Sequence, residues 1–200
     1  MPTLTTPGGA ALAYQKAGSG PPVVLVAGAL SDRTAWDALL PLLTPYATTY
    51  ALDRRGRGDS ADRPGSTVAD EIADVRALLA EAGPGAVLLG HSSGALLALR
   101  AAAGTRGVRA VVAYEPPPYP ADGPPARRLR EHVDAGDPEA ALTVFLRVLL
   151  GDASPPHMAA RSEEVAARVP GARLDLLPGQ RHDALAEAPE LLARHVRGVL

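Results

Sequence analysis

Ala86-Val87-Leu88-Leu89-Gly90-His91-Ser92-Ser93-Gly94-Ala95-Leu96-Leu97-Ala98-Leu99-Arg100-Ala101 is the stretch on which the reading of this chain turns. Four apolar residues in a row suit a buried strand, and the alanine- and leucine-rich run after Gly94 suits a helix. Only a tight turn fits between them, and the residue at its apex is Ser92. A strand, a sharp turn and a helix around a lone serine form a nucleophile elbow, which strains the serine backbone and presents its Oγ at the edge of the sheet. Gly90 and Gly94 let strand and helix pass without Cβ clashes. The pentapeptide alone is a weak signal, because 20 of the 200 residues are glycine, and a glycine-rich strand-to-helix turn occurs in any α/β protein. Its context carries the weight.

Working outward, 200 residues suit a single domain spanning 1–200, long enough to bury most of its apolar surface in one core. A formal charge of -2, with acids and arginines scattered along the chain, gives no electrostatic reason to expect nucleic acid or an anionic membrane as partner. A small-molecule substrate is expected, while oligomeric state is not legible. The absence of cysteine rules out a disulfide framework, a thiolate metal site and a cysteine nucleophile. Met1-Pro2-Thr3-Leu4-Thr5 lacks the basic-then-apolar pattern of a leader, and no apolar run approaches the roughly 18 residues of a membrane span, so a cytoplasmic protein is expected.

Short β-branched or apolar runs recur at Ala11 to Tyr14, Val23 to Val26, Thr48 to Leu52, Ala86 to Leu89, Val108 to Tyr114 and Arg173 to Leu177. Helical patterns occupy Thr34 to Leu43, Val68 to Ala82, Ala95 to Ala103 and Ala184 to Leu200. Continuous apolar strands separated by helices indicate α/β architecture, with a mostly parallel sheet and helices on both faces. Thr3 to Tyr14, turning at Pro7-Gly8-Gly9, reads as an antiparallel hairpin at the edge. From Pro116 the rhythm breaks, and the polar helical patterns Pro125 to Ala135 and Pro138 to Leu146 read as a short helical lid inserted at 116–147. An ordinary crossover helix is the alternative there. Val148 to Leu150 fits a strand or a continued helix, and the strand is favoured because the sheet otherwise lacks a member between Tyr114 and Arg173.

Four segments in order, Val23 to Gly28 with the helix through Trp36, Leu52 to Ser60, the elbow, and Leu177-Pro178-Gly179-Gln180-Arg181-His182, resemble the α/β-hydrolase fold family over nearly the whole chain. Such proteins usually run longer, and the shortfall here falls in the lid. Asp53-Arg54-Arg55-Gly56-Arg57-Gly58-Asp59-Ser60 is similar to the family's turn after the fourth strand, for which a structural role is the favoured reading.

A serine hydroxyl is a weak nucleophile at neutral pH and needs a base within hydrogen-bond reach. His182, after the last strand, matches the family's histidine in the order serine, acid, histidine. His91, inside the elbow, is expected to point away from Ser92, and His132, His157 and His195 suit surface or packing roles. The resemblance allows the acid at either of two places. Glu115, ending the strand before the lid, is favoured; Asp152 is the alternative, two residues before Ser154, where the family's aspartate usually stands. Asp183 suits a helix N-cap. The backbone N–H groups of Ala29 and Ser93 are the expected oxyanion donors, the loss of one such donor typically costing about 2.7 to 4 kcal/mol. Relatives often carry His-Gly where this chain has Ala27-Gly28, which bears on loop orientation. Leu30 and Trp36 are expected in the pocket wall. With a serine at the elbow, the resemblance implies cleavage of a small ester or related acyl compound through an acyl-enzyme. No paired His, Asp or Glu cluster has metal-ligand spacing and no G-x-G-x-x-G follows a strand, so neither a metal nor a cofactor is expected. A catalytically weak small-molecule binding protein, or a perhydrolase on the same three residues, are the alternatives.

Overall fold

Side chains alternate across the central strands, and that alternation builds two cores. In the computed structural model, which describes residues 1–6, 8–117 and 145–200, β3 (Pro22–Val26) sends Val24 and Val26 to one face and Val23 and Leu25 to the other. In β5 (Ala86–His91), Leu88 and Val87 diverge in the same way. The period of two in a strand requires this, and burial on both faces explains why Val23 to Val26 and Ala86 to Leu89 hold no polar residue.

Eight strands form one sheet in the order β1-β2-β4-β3-β5-β6-β7-β8. The first two, β1 (Thr3–Thr5) and β2 (Ala11–Gly18), pair antiparallel, as β2 does with β4 (Thr48–Leu52). All later pairings, through β6 (Val108–Tyr114), β7 (Phe145–Gly151) and β8 (Arg173–Leu177), are parallel. One face carries α2 (Val68–Ala82), α3 (Ser93–Ala102) and α4 (Pro156–Arg168). The other carries a 3-10 turn (Arg33–Trp36), α1 (Leu40–Leu43), α5 (Ala184–Glu187) and α6 (Pro189–Arg197). The chain adds β4 on one side of β3 and then crosses to place β5 on the other. Loops at the carboxyl ends of β3 and β5 therefore diverge and leave a crevice, the usual place for a ligand in such a sheet.

Several expectations need correction. The helix expected from Thr34 to Leu43 is two pieces, as is the one from Ala184 to Leu200, and each second piece starts with a proline in its first turn, Pro41 and Pro189. Proline has no N–H to donate and clashes with the preceding turn, so a helix restarts there. Residues 145–147, expected at the end of a helical lid, belong to β7, where Leu146 packs on one face. Thus Val148 to Leu150 is strand. The remainder of the expected lid, 118–144, lies outside the described residues. The pattern of the described elements did not announce α4: its buried positions Met158, Arg161, Ser162 and Val165 have helical spacing, but two of the four are polar.

The elbow depends on close backbone approach. A Cβ on Gly94 would lie 2.1 Å from Val26 O, and one on Gly90 2.5 Å from Ala95 Cα. Backbone cannot yield as a flexible side chain does, so Gly94→Ala should lower stability by at least about 2 kcal/mol in urea denaturation, as overpacking of a filled core does. An unchanged midpoint would contradict this packing.

Candidate active site

Ser92 occupies the apex between β5 and α3 with φ 54° and ψ -125°. Among the described residues, only Ser92 and Glu115 combine a side chain with positive φ, 47° in the second case. Such backbone is costly for a residue with a Cβ and persists only where the surroundings impose it. The impositions are visible: Ser92 N–H donates to Tyr114 O at 3.0 Å, and Glu115 N–H donates to Leu149 O at 2.9 Å. Elbow, β6 end and β7 are thus stitched together.

Glu115 is fully buried. Its Oε1 accepts from Gly151 N–H at 2.9 Å and from Ser154 Oγ–H. Its Oε2 accepts from His182 Nδ1 at 2.7 Å. Burial pushes this carboxyl up, but the hydrogen bonds from His182, Ser154 and Gly151 together outweigh it and hold the pKa below the ordinary value. A carboxylate there requires Nδ1 to carry the proton, which leaves Nε2 of a neutral imidazole free to accept one.

The segment bearing His182 is pinned on several sides. Tyr114 Oη donates to Arg181 O and accepts from Ala184 N–H at 3.3 Å. Asp152 Oδ1 accepts from Gly179 N–H at 2.7 Å, and Ala153 N–H donates to Gln180 O at 3.0 Å. Asp152 therefore serves the loop, and its carboxylate bonds are not to the imidazole. Asp183 occupies the N-cap position of α5 without a side-chain cap bond.

His91 packs against the segment that bears His182. Its ring lies 4.5 Å from that of His182 and stacks at 5.2 Å on Tyr114, with Nε2 3.0 Å from His182 O. A carbonyl accepts only, so Nε2 carries the hydrogen. Burial, then the neighbouring His182, pushes the His91 imidazole down to about 4, so it is neutral near pH 7. The second position of the elbow pentapeptide gives no sequence signal for this role.

At the end of β3, the loop carrying Ala27, Gly28 and Ala29 is held by arginines from the turn after β4. Arg54 Nη1 lies 3.1, 3.0 and 2.9 Å from Ala27 O, Gly28 O and Ser93 Oγ, and Nη2 contacts both Glu71 oxygens at 3.0 and 2.8 Å. Arg57 Nε donates to Ala29 O at 2.6 Å. Below them Arg55 pairs with Asp74 at 2.6 and 2.7 Å. The turn expected to be structural thus reaches the candidate site itself. Ser93 is the first residue of α3, so its N–H is one the helix cannot satisfy internally. Leu30 is fully exposed beside an open groove of about 640 Å³ that Ala29, Arg57 and Glu71 also line. Trp36, expected in a pocket wall, is instead wholly buried in the core cluster of Leu25 and Leu39, where its size fills space between sheet and helices.

A sequence profile of the alpha/beta hydrolase family matches residues 23–196. A crystal structure of an alpha/beta hydrolase from Sphaerobacter thermophilus superposes with a TM-score of 0.83 at 30% identity, covering 99% of both chains. N-formylmaleamate deformylase of Pseudomonas putida is 39% identical over 104 residues, which are 50% of this chain and 39% of that protein. Pimeloyl-[acyl-carrier protein] methyl ester esterase of Photobacterium profundum is 37% identical over 116 residues, 56% of this chain and 44% of that protein. The matched stretches thus span about two fifths of the length of these curated relatives.

The low pKa of His91 has a stability consequence. Unfolded, this histidine binds a proton below about pH 6.5, whereas folded it does so only near 4, so stability falls as pH drops through that window. His195, also lowered by burial, acts with the same sign. The depressed Glu115 contributes stability that is lost only at lower pH, below the ordinary carboxylate value. The Tm should therefore fall between pH 6.5 and 4.5, and His91→Phe, which keeps a ring without titration, should flatten that slope in part. An equal slope in both proteins would contradict the assignment.

Proposed function

Because the chain belongs to the alpha/beta hydrolase family, we propose that it is a serine hydrolase that cleaves a small ester or related acyl compound through an acyl-Ser92 intermediate. The observation that carries this reading is the 2.7 Å bond between His182 Nδ1 and buried Glu115, with the His182 ring packed on the residue before the strained Ser92. The relatives named as a deformylase and a methyl ester esterase support the class of reaction.

In the first half-reaction, Ser92 Oγ attacks the acyl carbon while His182 Nε2 takes the hydroxyl proton. The carbonyl π pair moves to oxygen, which the N–H groups of Ala29 and Ser93 stabilise. Collapse of the tetrahedral species expels the alcohol oxygen, to which the imidazolium returns the proton. In the second half-reaction water attacks the acyl-serine, giving its proton to His182. Collapse then releases the carboxylic acid as Ser92 recovers a proton from the imidazolium. Glu115 stays ionised and stabilises the imidazolium, held by donors from His182, Ser154 and Gly151. Fixed dipoles contribute more here than mobile water, since they need no reorganisation as charge develops.

Ser154, at the family's usual aspartate position, hydrogen-bonds Glu115. On this reading the acid has its seat on the β6 end, and the residue at the other position supports it. Glu115→Gln should lower kcat for a p-nitrophenyl ester about 10³- to 10⁴-fold, by removing the charge that fixes the tautomer. Asp152→Asn should cost far less. Ser92→Ala and His182→Ala should abolish turnover while leaving the chain folded. Substantial residual turnover in either, or a larger loss from Asp152→Asn than from Glu115→Gln, would undo the assignment.

A further inference from the structure

The oxyanion loop lacks a side-chain anchor of its own, since Ala27 and Gly28 offer none, yet its carbonyls are all engaged. Arg54 takes Ala27 O and Gly28 O, and Arg57 takes Ala29 O. In a trans peptide the C=O and N–H point in opposite directions. With Gly28 O turned toward Arg54, the N–H of Ala29 must point away from the guanidinium. The same Nη1 reaches Ser93 Oγ at 2.9 Å, so one nitrogen touches Ser93 and the carbonyl of the Gly28–Ala29 peptide, whose N–H is the other proposed donor.

We propose that Arg54 is the positioning residue of the oxyanion hole, a single buried guanidinium that sets the direction of the Ala29 N–H and ties it to the start of α3. This deepens the hydrolase reading and rests on it. Hydrogen bonding at Gly28 O also polarises the peptide and makes its N–H a better donor to a developing oxyanion. Glu71 keeps the guanidinium in place by binding its other nitrogen at 3.0 and 2.8 Å, and itself contacts Arg57 at 3.0 Å.

Stability alone is a poor reason for such a residue. Arg54 is 5% exposed, and its Nε is buried with no partner among the described residues. Buried ion pairs seldom improve on apolar packing of equal volume. The two Nη groups of one rigid plane do explain it, because no other side chain can reach two loop carbonyls, a hydroxyl and a carboxylate at once.

The test is Arg54→Lys, which keeps a positive charge beside Glu71 but offers one nitrogen in place of the fork. Wild type, Arg54→Lys and Glu71→Gln are compared for kcat/KM on p-nitrophenyl acetate. Each is also tested for inhibition by an alkyl trifluoromethyl ketone, whose hemiketal oxygen fills the hole, and by the matching methyl ketone, which forms no such adduct. Folding is checked by the Tm. In folded Arg54→Lys, kcat/KM should fall about 100-fold, as for loss of one oxyanion donor. Trifluoromethyl ketone inhibition should weaken by a similar factor, with the methyl ketone within about threefold. A merely structural role would weaken both ketones alike or leave kcat/KM within threefold of wild type, and either result overturns the proposal. Should Arg54→Lys fail to fold, Glu71→Gln decides in its place. It loosens the guanidinium without removing it, and the same split between ketones is expected with a loss of about tenfold, about one order below the full effect. Wild type without ester turnover would overturn the hydrolase reading, and this inference with it. Normal wild type beside normal variants overturns the role of Arg54 alone.

Discussion

The buried carboxylate of Glu115 is the constraint to which the rest of the candidate site answers. An ionised group removed from water must find compensation, and Glu115 finds it in the Gly151 N–H, the Ser154 hydroxyl and His182 Nδ1. Gly151 and Ser154 lie at the end of β7 and in the turn after it, and His182 in the loop after β8. Satisfying the charge therefore joins the end of β6, the turn after β7 and the loop after β8 at one end of the sheet. Glu115 holds its positive φ where β6 ends, with its N–H donating to Leu149 O and its side chain accepting from Gly151 N–H.

Around that centre, polar side chains take the place of the strand hydrogen bonds that end at the sheet's edge. Tyr114 and His91 hold the backbone of Arg181 and His182, while Arg54 and Arg57 hold the loop at Ala27 to Ala29. On the proposed mechanism this is pre-organisation: donors and the imidazole would be set before a substrate arrives, and reaction would entail little reorientation. Neutral His91 suits its place, because a second positive charge next to His182 would oppose protonation of that imidazole.

The parts of the fold set by apolar periodicity were readable in advance. Thr48–Leu52, Val68–Ala82, Val108–Tyr114 and Arg173–Leu177 start and end where the alternation of apolar runs and glycines places them. The family is shown by the profile match and by the order of motifs that suggested it. Legibility fails where a local pattern and the tertiary environment disagree. In α4 polar Arg161 and Ser162 sit on the buried face. At Pro41 and Pro189 one proline divides an otherwise helical pattern. Trp36, expected in a pocket wall, lies in the core, where its large apolar surface fills space beside Leu25 and Leu39. The contacts of His91 and Arg54 were not legible in the sequence, since their partners, several of them backbone carbonyls, come from distant segments.

The central claim is that Ser92 is a nucleophile activated by His182. It is tested most directly by incubating the folded protein with a fluorophosphonate and mapping the adduct by peptide mass spectrometry. The account predicts one adduct, on Ser92, whose formation slows sharply in His182→Ala. A folded wild-type protein that stays unlabelled, or is labelled only at another residue, would contradict it.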